Sequence, residues 1–138
     1  MASKKELFNP LEHDEQVMFF KMAQVQLSPE DYILLWATPN CAKRSPQLAN
    51  YMLSEGLKSG VPDIMFASPS GEYHGLFIEM KRRHGSRVSP EQAVTLDRLN
   101  QVGYKAVVCH GCDEAISELM SYIGRRTDGS AKQRASSS

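Results

Sequence analysis

Two short runs, GVPDIMF (Gly60–Phe66) and GLFIEMK (Gly75–Lys81), constrain this chain more than any other part of it. Each is apolar enough to be a strand inside a sheet. The Pro, Ser and Gly of the intervening SPSGEYH favour a turn, so Pro62–Ser68 and Gly75–Arg82 read as a hairpin. Yet Asp63, Glu79 and Lys81 put charge where a buried sheet should be dry. Side chains two apart share a strand face, so Leu76, Ile78 and Met80 face a core while Phe77, Glu79 and Lys81 face the other way. Glu79 and Lys81 are then roughly 6.5 to 7 Å apart along the backbone, and strand pairing brings Asp63 beside Glu79. Two carboxylates about 4 Å apart repel by about 4 kcal/mol at an effective dielectric of about 20, so the convergence calls for a proton or a cation between them.

A divalent cation answers that need. Hard carboxylate oxygens select Mg²⁺, Mn²⁺ or Ca²⁺ over softer ions, and Mg²⁺ takes one or two carboxylates together with waters and phosphate oxygens. The chemistry that suits such a site is phosphodiester hydrolysis, with Lys81 orienting water or neutralising charge in the transition state. Two helices add polar groups to apolar stripes. Over Leu11–Leu27, Glu15 lies on the face of Leu11, Met18 and Met22; downstream, Gln92, Leu96 and Leu99 form an i, i+4, i+7 line. A buried polar group without a partner costs roughly 1–3 kcal/mol, so both residues point to a polar centre beyond the helix.

Simpler structural roles stand beside these. Asp63 after proline is a common turn residue, Glu79 with Lys81 a common pair on an exposed strand, and Glu15 an acid favoured in an early helical turn. Gln92 is also the partner of Ser89 in a capping box, S-P-E-Q, a role compatible with service in a site.

Elsewhere the chain supplies Tyr32–Thr38 as a buried strand, a short helix opened by Ser45-Pro46 and closed by Gly56, and a helix from Ser89 to Gly103. Tyr104–His110 is a further strand, and a last helix opens at Asp113 and carries Ile116, Leu119, Met120 and Ile123. Helices interleaved with strands predict an α/β layer structure with a mixed sheet. At 138 residues and 41% hydrophobic content the chain holds one domain. Its expected limits are 11–123, after an N-terminal extension of residues 1–10 and before a disordered tail over 124–138.

Sixteen basic and sixteen acidic residues cancel, which excludes a bulk polycation. A nucleic-acid footprint must be local, and Lys81, Arg82, Arg83 and Arg87 fall within seven residues free of acids. Lys43, Arg44 and Lys58 extend the candidate phosphate contacts. No apolar stretch approaches the roughly 20 residues of a membrane span, no secretory h-region follows the N-terminus, and three cysteines fit reduced thiols, so the expected location is cytoplasmic. Cys109-His110-Gly111-Cys112 is a C-x-x-C at a strand-to-helix junction and carries the rival reading, a thiol-redox or metal-binding protein.

Pro62-Asp63 followed by Glu79-Met80-Lys81 fits the PD-(D/E)xK nuclease signature. With GLKSGVPD, FIEMK, SPEQ and the upstream ATPN in order, the chain from Glu15 to Cys109 resembles the VRR-NUC domain family, in its small stand-alone phage and bacterial form. The resemblance implies a restriction-endonuclease-like core, αβββαβ, and Mg²⁺- or Mn²⁺-dependent cutting of branched DNA by a homodimeric Holliday-junction resolvase, with no organic cofactor. Carried over by position, Asp63 and Glu79 become metal ligands with the backbone carbonyl of Met80. Lys81 becomes the catalytic lysine, Gln92 the glutamine of the following helix, and Glu15 the acid of the first helix. A DNA-binding module with an inactive nuclease core is the remaining alternative.

Overall fold

The computed structural model describes residues 7–39 and 44–137. Among the described residues, five helices and four strands follow in the order α1 (Glu12–Gln26), α2 (Pro29–Tyr32), β1 (Leu35–Ala37), α3 (Pro46–Ser54), β2 (Ile64–Phe66), β3 (Leu76–Lys81), α4 (Pro90–Gln101), β4 (Lys105–His110) and α5 (Cys112–Ser137). The strands form one mixed sheet in the order β1-β2-β3-β4. β1, β2 and β3 are a meander of antiparallel pairs; β4 returns parallel to β3 after α4. This is the expected α/β arrangement with helices on a mixed sheet.

The hairpin pairs Ile64 with Ile78 and Phe66 with Leu76. That register buries Ile64, Phe66, Leu76, Ile78 and Met80 in one cluster with Phe19 and Ala23 of α1 and Ala115, Leu119 and Tyr122 of α5. α1 and α5 therefore cover one face of β3, while α4 reaches Glu79 from the other. Tyr122 locks α5 to the chain after β2, because its hydroxyl donates to the Ser68 carbonyl at 2.5 Å and its own carbonyl accepts from Ser70 Oγ at 2.6 Å.

Three elements depart from expectation. Tyr32–Thr38 is not one buried strand. Ser28 Oγ accepts from Asp31 N at 3.2 Å and caps the short α2, which leaves only Leu35–Ala37 as a strand, with Leu35 buried and Trp36 45% exposed at the sheet edge. In α1 the buried stripe is Glu15, Phe19 and Ala23 rather than Leu11, Met18 and Met22 with Glu15; Leu11 and Met18 are exposed. Phe19 is fully buried in the core cluster with Ala23, while Phe20 and Met22 pack against it from the side. α5 does not stop at Ile123, and Gly124–Arg126, expected in a disordered tail, continue the helix. Arg126 holds this turn through a two-pronged contact with Asp31 at 2.6 and 2.7 Å.

Candidate active site

The residues singled out on the hairpin meet where β2 begins and β3 ends. Asp63 precedes β2, and its Oδ2 accepts the Met80 N–H at 2.7 Å. Glu79 and Lys81 are 2% and 7% exposed, and Lys81 Nζ lies 3.7 Å from Glu79 Oε1. α4 completes the group. Its capping box is formed in both directions, Ser89 Oγ accepting from Gln92 N and Gln92 Oε1 accepting from Ser89 N, and this leaves Gln92 Nε2 free to donate to Glu79 Oε1 at 2.6 Å. One amide side chain thus serves the helix start and the site together.

Glu79 is held at one oxygen only. Oε1 receives Gln92 and Lys81, whereas Oε2 is buried and receives no N–H donor, and contact between the two carboxyls favours a proton on Glu79 at the expense of Asp63. Burial, then the Asp63 charge beside it, pushes the Glu79 carboxyl up to about 8, against the pull of Lys81. Asp63 is raised as well, burial outweighing the Met80 N–H that stabilises its anion. Two carboxylates destabilised as anions, one with an orphaned oxygen, fit a hard divalent cation. The Lys81 carbonyl accepts from Gly111 N at 3.0 Å on the β4 side. Backbone groups alternate along a strand, so the Met80 carbonyl faces the opposite edge, where Asp63 sits. Among the described residues no group of three or more His, Cys, Asp and Glu side chains stands ready for a metal. Asp63, Glu79 and the Met80 carbonyl are a donor set of the size Mg²⁺ accepts when waters and substrate oxygens complete its shell.

A cavity of about 520 Å³ opens over this group, lined by Asp63, Lys81, Gln92, Arg44, Thr38 and, from α1, Glu12, His13 and Gln16. The acid that α1 presents here is Glu12, whose charge raises both Asp63 and Glu79. Glu15, expected in that role, is not brought to the cavity. It lies one turn further along, bonded to Arg83 Nε at 2.7 Å and Nη2 at 3.2 Å and to the Cys112 N–H, and the guanidinium holds its carboxyl below the usual range. The packing is close: a Cβ on Gly111, where φ is +94°, would lie 2.8 Å from Glu15 Oε2 and 2.9 Å from Arg83 Cγ. The signal for Glu12 was present in the sequence, as an acid three positions before Glu15 in the first helical turn.

The basic cluster is divided by the fold. Arg83 is committed to Glu15 and Asp113, and Arg82 donates to the backbone carbonyls of Asn9 and Pro10, so neither arginine is the free phosphate contact expected. Burying Glu15 against the segment after β3 requires a cation there, and Arg83 is the one in reach. Arg44 lines the cavity, Lys58 lines an adjoining one of about 210 Å³ that shares Asp63 and Gln92, and Arg87 is exposed. Lys43 lies outside the described residues. The thiols of the C-x-x-C are free and buried, at 3% and 4% exposure. Burial pushes Cys109 up to about 12 and raises Cys112, the reverse of what a redox thiolate requires.

A mixed sheet carrying acid, acid and lysine at the junction of two strands defines a nuclease-type domain. The VRR-NUC domain family matches residues 12–113, and the chain belongs to that family. A solved structure described as a VRR_NUC domain protein superposes with a TM-score of 0.75 at 28% sequence identity, over 86% of this chain and 93% of that one. No curated protein gives a significant match. No helix among the described residues is long and apolar enough to cross a membrane.

Proposed function

We propose that this chain is a Mg²⁺- or Mn²⁺-dependent endodeoxyribonuclease that cuts branched DNA in the cytoplasm, four-way junctions foremost, as a homodimer. The observation that carries the reading is Glu79: buried, fixed at Oε1 by Gln92 and Lys81, and bare at Oε2 beside Asp63. Asp63, Glu79 and the Met80 carbonyl would hold the cation, with Glu12 adding negative charge across the cavity. Bound there, the ion supplies positive charge to a phosphoryl oxygen and acidity to water.

The protein's own groups do the positioning. Gln92 fixes the carboxylate plane of Glu79, the Met80 N–H fixes that of Asp63, and Lys81 presents an ammonium where charge develops on the phosphate. Arg44 and Lys58 flank the centre along the cavities and suit the phosphates on either side. One chain carries one such site, and a four-way junction needs two incisions, which two copies about a two-fold axis provide.

The test is a panel of labelled four-way junctions, flaps and duplexes incubated with Mg²⁺, Mn²⁺ or chelator, using wild type and Lys81→Ala. Wild type is expected to cut branched DNA only with metal. Lys81→Ala is expected to bind junctions as wild type does and to lose cutting. Cleavage in chelator, or full cleavage by Lys81→Ala, would overturn the reading.

A further inference from the structure

The central cavity has a side arm that the cutting reaction does not use. Between α1 and the α2–β1 segment lies a groove of about 430 Å³, within the roughly 300–1,000 Å³ of small-ligand pockets. His13 and Gln16 line both the groove and the central cavity, so the two spaces meet at one wall of the site. The groove is walled by Val17, Phe20 and Tyr32, with Lys21 and Gln24 at its border. Apolar and half-buried aromatic lining, an amide and a cation together suit a nucleobase and its phosphate, because every base offers a π-face to an aromatic side chain.

We infer that this groove is a subsite for an unpaired nucleobase of the substrate strand next to the scissile phosphate, an inference that rests on the nuclease reading above. Continuity with the central cavity decides the occupant: a strand whose phosphate reaches Asp63 and Lys81 passes His13 and Gln16, and a base beside it meets the groove. A fully stacked duplex cannot deliver that base without unpairing it, whereas a branch point can. The subsite thereby gives the enzyme a reason to prefer branched DNA that needs no base-sequence contact.

An abasic scan tests this, with each nucleotide flanking the cut replaced in turn by an abasic residue and affinity measured for wild type, Val17→Glu and Val25→Glu. Val17 is 41% exposed in the groove wall; Val25 is 86% exposed on the same helix and lines neither cavity. Base-on-aromatic stacking is strong enough that wild type should lose about fivefold or more in affinity at one abasic position. Val17→Glu should bind intact DNA at that weakened level and be indifferent to the abasic change, and Val25→Glu should behave as wild type. Should Val17→Glu fail to fold, Gln24→Glu on the exposed border replaces it with the same expectation. Wild type that cuts DNA but shows no abasic dependence, or groove variants that keep the wild-type dependence, would overturn the subsite alone. Wild type that neither binds nor cuts any of the DNAs would overturn the nuclease reading and the subsite with it.

Discussion

In the absence of metal, Glu79 makes the fold less stable as pH rises. Its carboxyl is raised from an ordinary 4.5 to about 8, chiefly by burial, so the folded protein binds this proton more tightly than the unfolded chain does. The stability so gained is fully present below the unfolded value and is lost as pH climbs through the folded one. A tenfold change in proton affinity is worth about 1.4 kcal/mol, so the loss between pH 5 and 8.5 is on the order of 4 kcal/mol. In a domain of this size each kcal/mol moves the melting temperature by roughly 3–6 °C. Melts in EDTA across that range should therefore show wild type losing about 10 °C or more relative to Glu79→Gln, whose neutral amide has no proton to give up. Asp63→Asn should flatten the curve in part, because the Asp63 charge is the second cause of the shift. Mn²⁺ should restore wild type at pH 8.5 and leave Glu79→Gln unmoved. Parallel curves for wild type and Glu79→Gln would refute the reasoning.

Arg83→Ala strips the cation from Glu15, which is 2% exposed, but the Arg83 side chain keeps 24% of its surface in solvent, so the loss is roughly 1–3 kcal/mol, measurable by urea denaturation. The double variant Glu15→Gln, Arg83→Met should recover part of that loss. Alkylating reagents should react slowly with Cys109 and Cys112 in the folded protein and leave DNA cutting intact, checked by mass spectrometry beside the cleavage assay. Arg44→Ala with Lys58→Ala should weaken DNA binding and reduce the slope of log affinity against log salt by about one for each phosphate no longer neutralised, whereas alanine at Arg82 should leave that slope unchanged.

The charged half of the hairpin was legible because strand alternation is rigid: once Leu76, Ile78 and Met80 were assigned to the core, Glu79 and Lys81 had to share the other face. Gln92 was legible for a similar reason, since a capping box fixes its position within the first turn of α4. The N-terminal helix was not. Its apolar residues permit more than one stripe, and only the packing of Phe19 over β3 decides that Glu15 is buried against Arg83 while Glu12 faces the cavity. The same uncertainty hid the fate of Arg82 and Arg83: Asn9, Pro10 and Glu15 lie 68 or more positions away in sequence, and Asp113, the second partner of Arg83, lies 30 positions away. The short α2 was missed because Ser28 and Pro29 begin a helix that a run of apolar residues immediately cuts off.

One ion between two acids is the centre on which the catalytic reading turns. Crystals soaked in manganese at pH 8 and measured at an anomalous wavelength should show a peak within bonding distance of Asp63 and Glu79 Oε2, absent from Asp63→Asn crystals. Wild-type crystals with no such peak and the two carboxylates turned apart, even with a four-way junction bound, would contradict it.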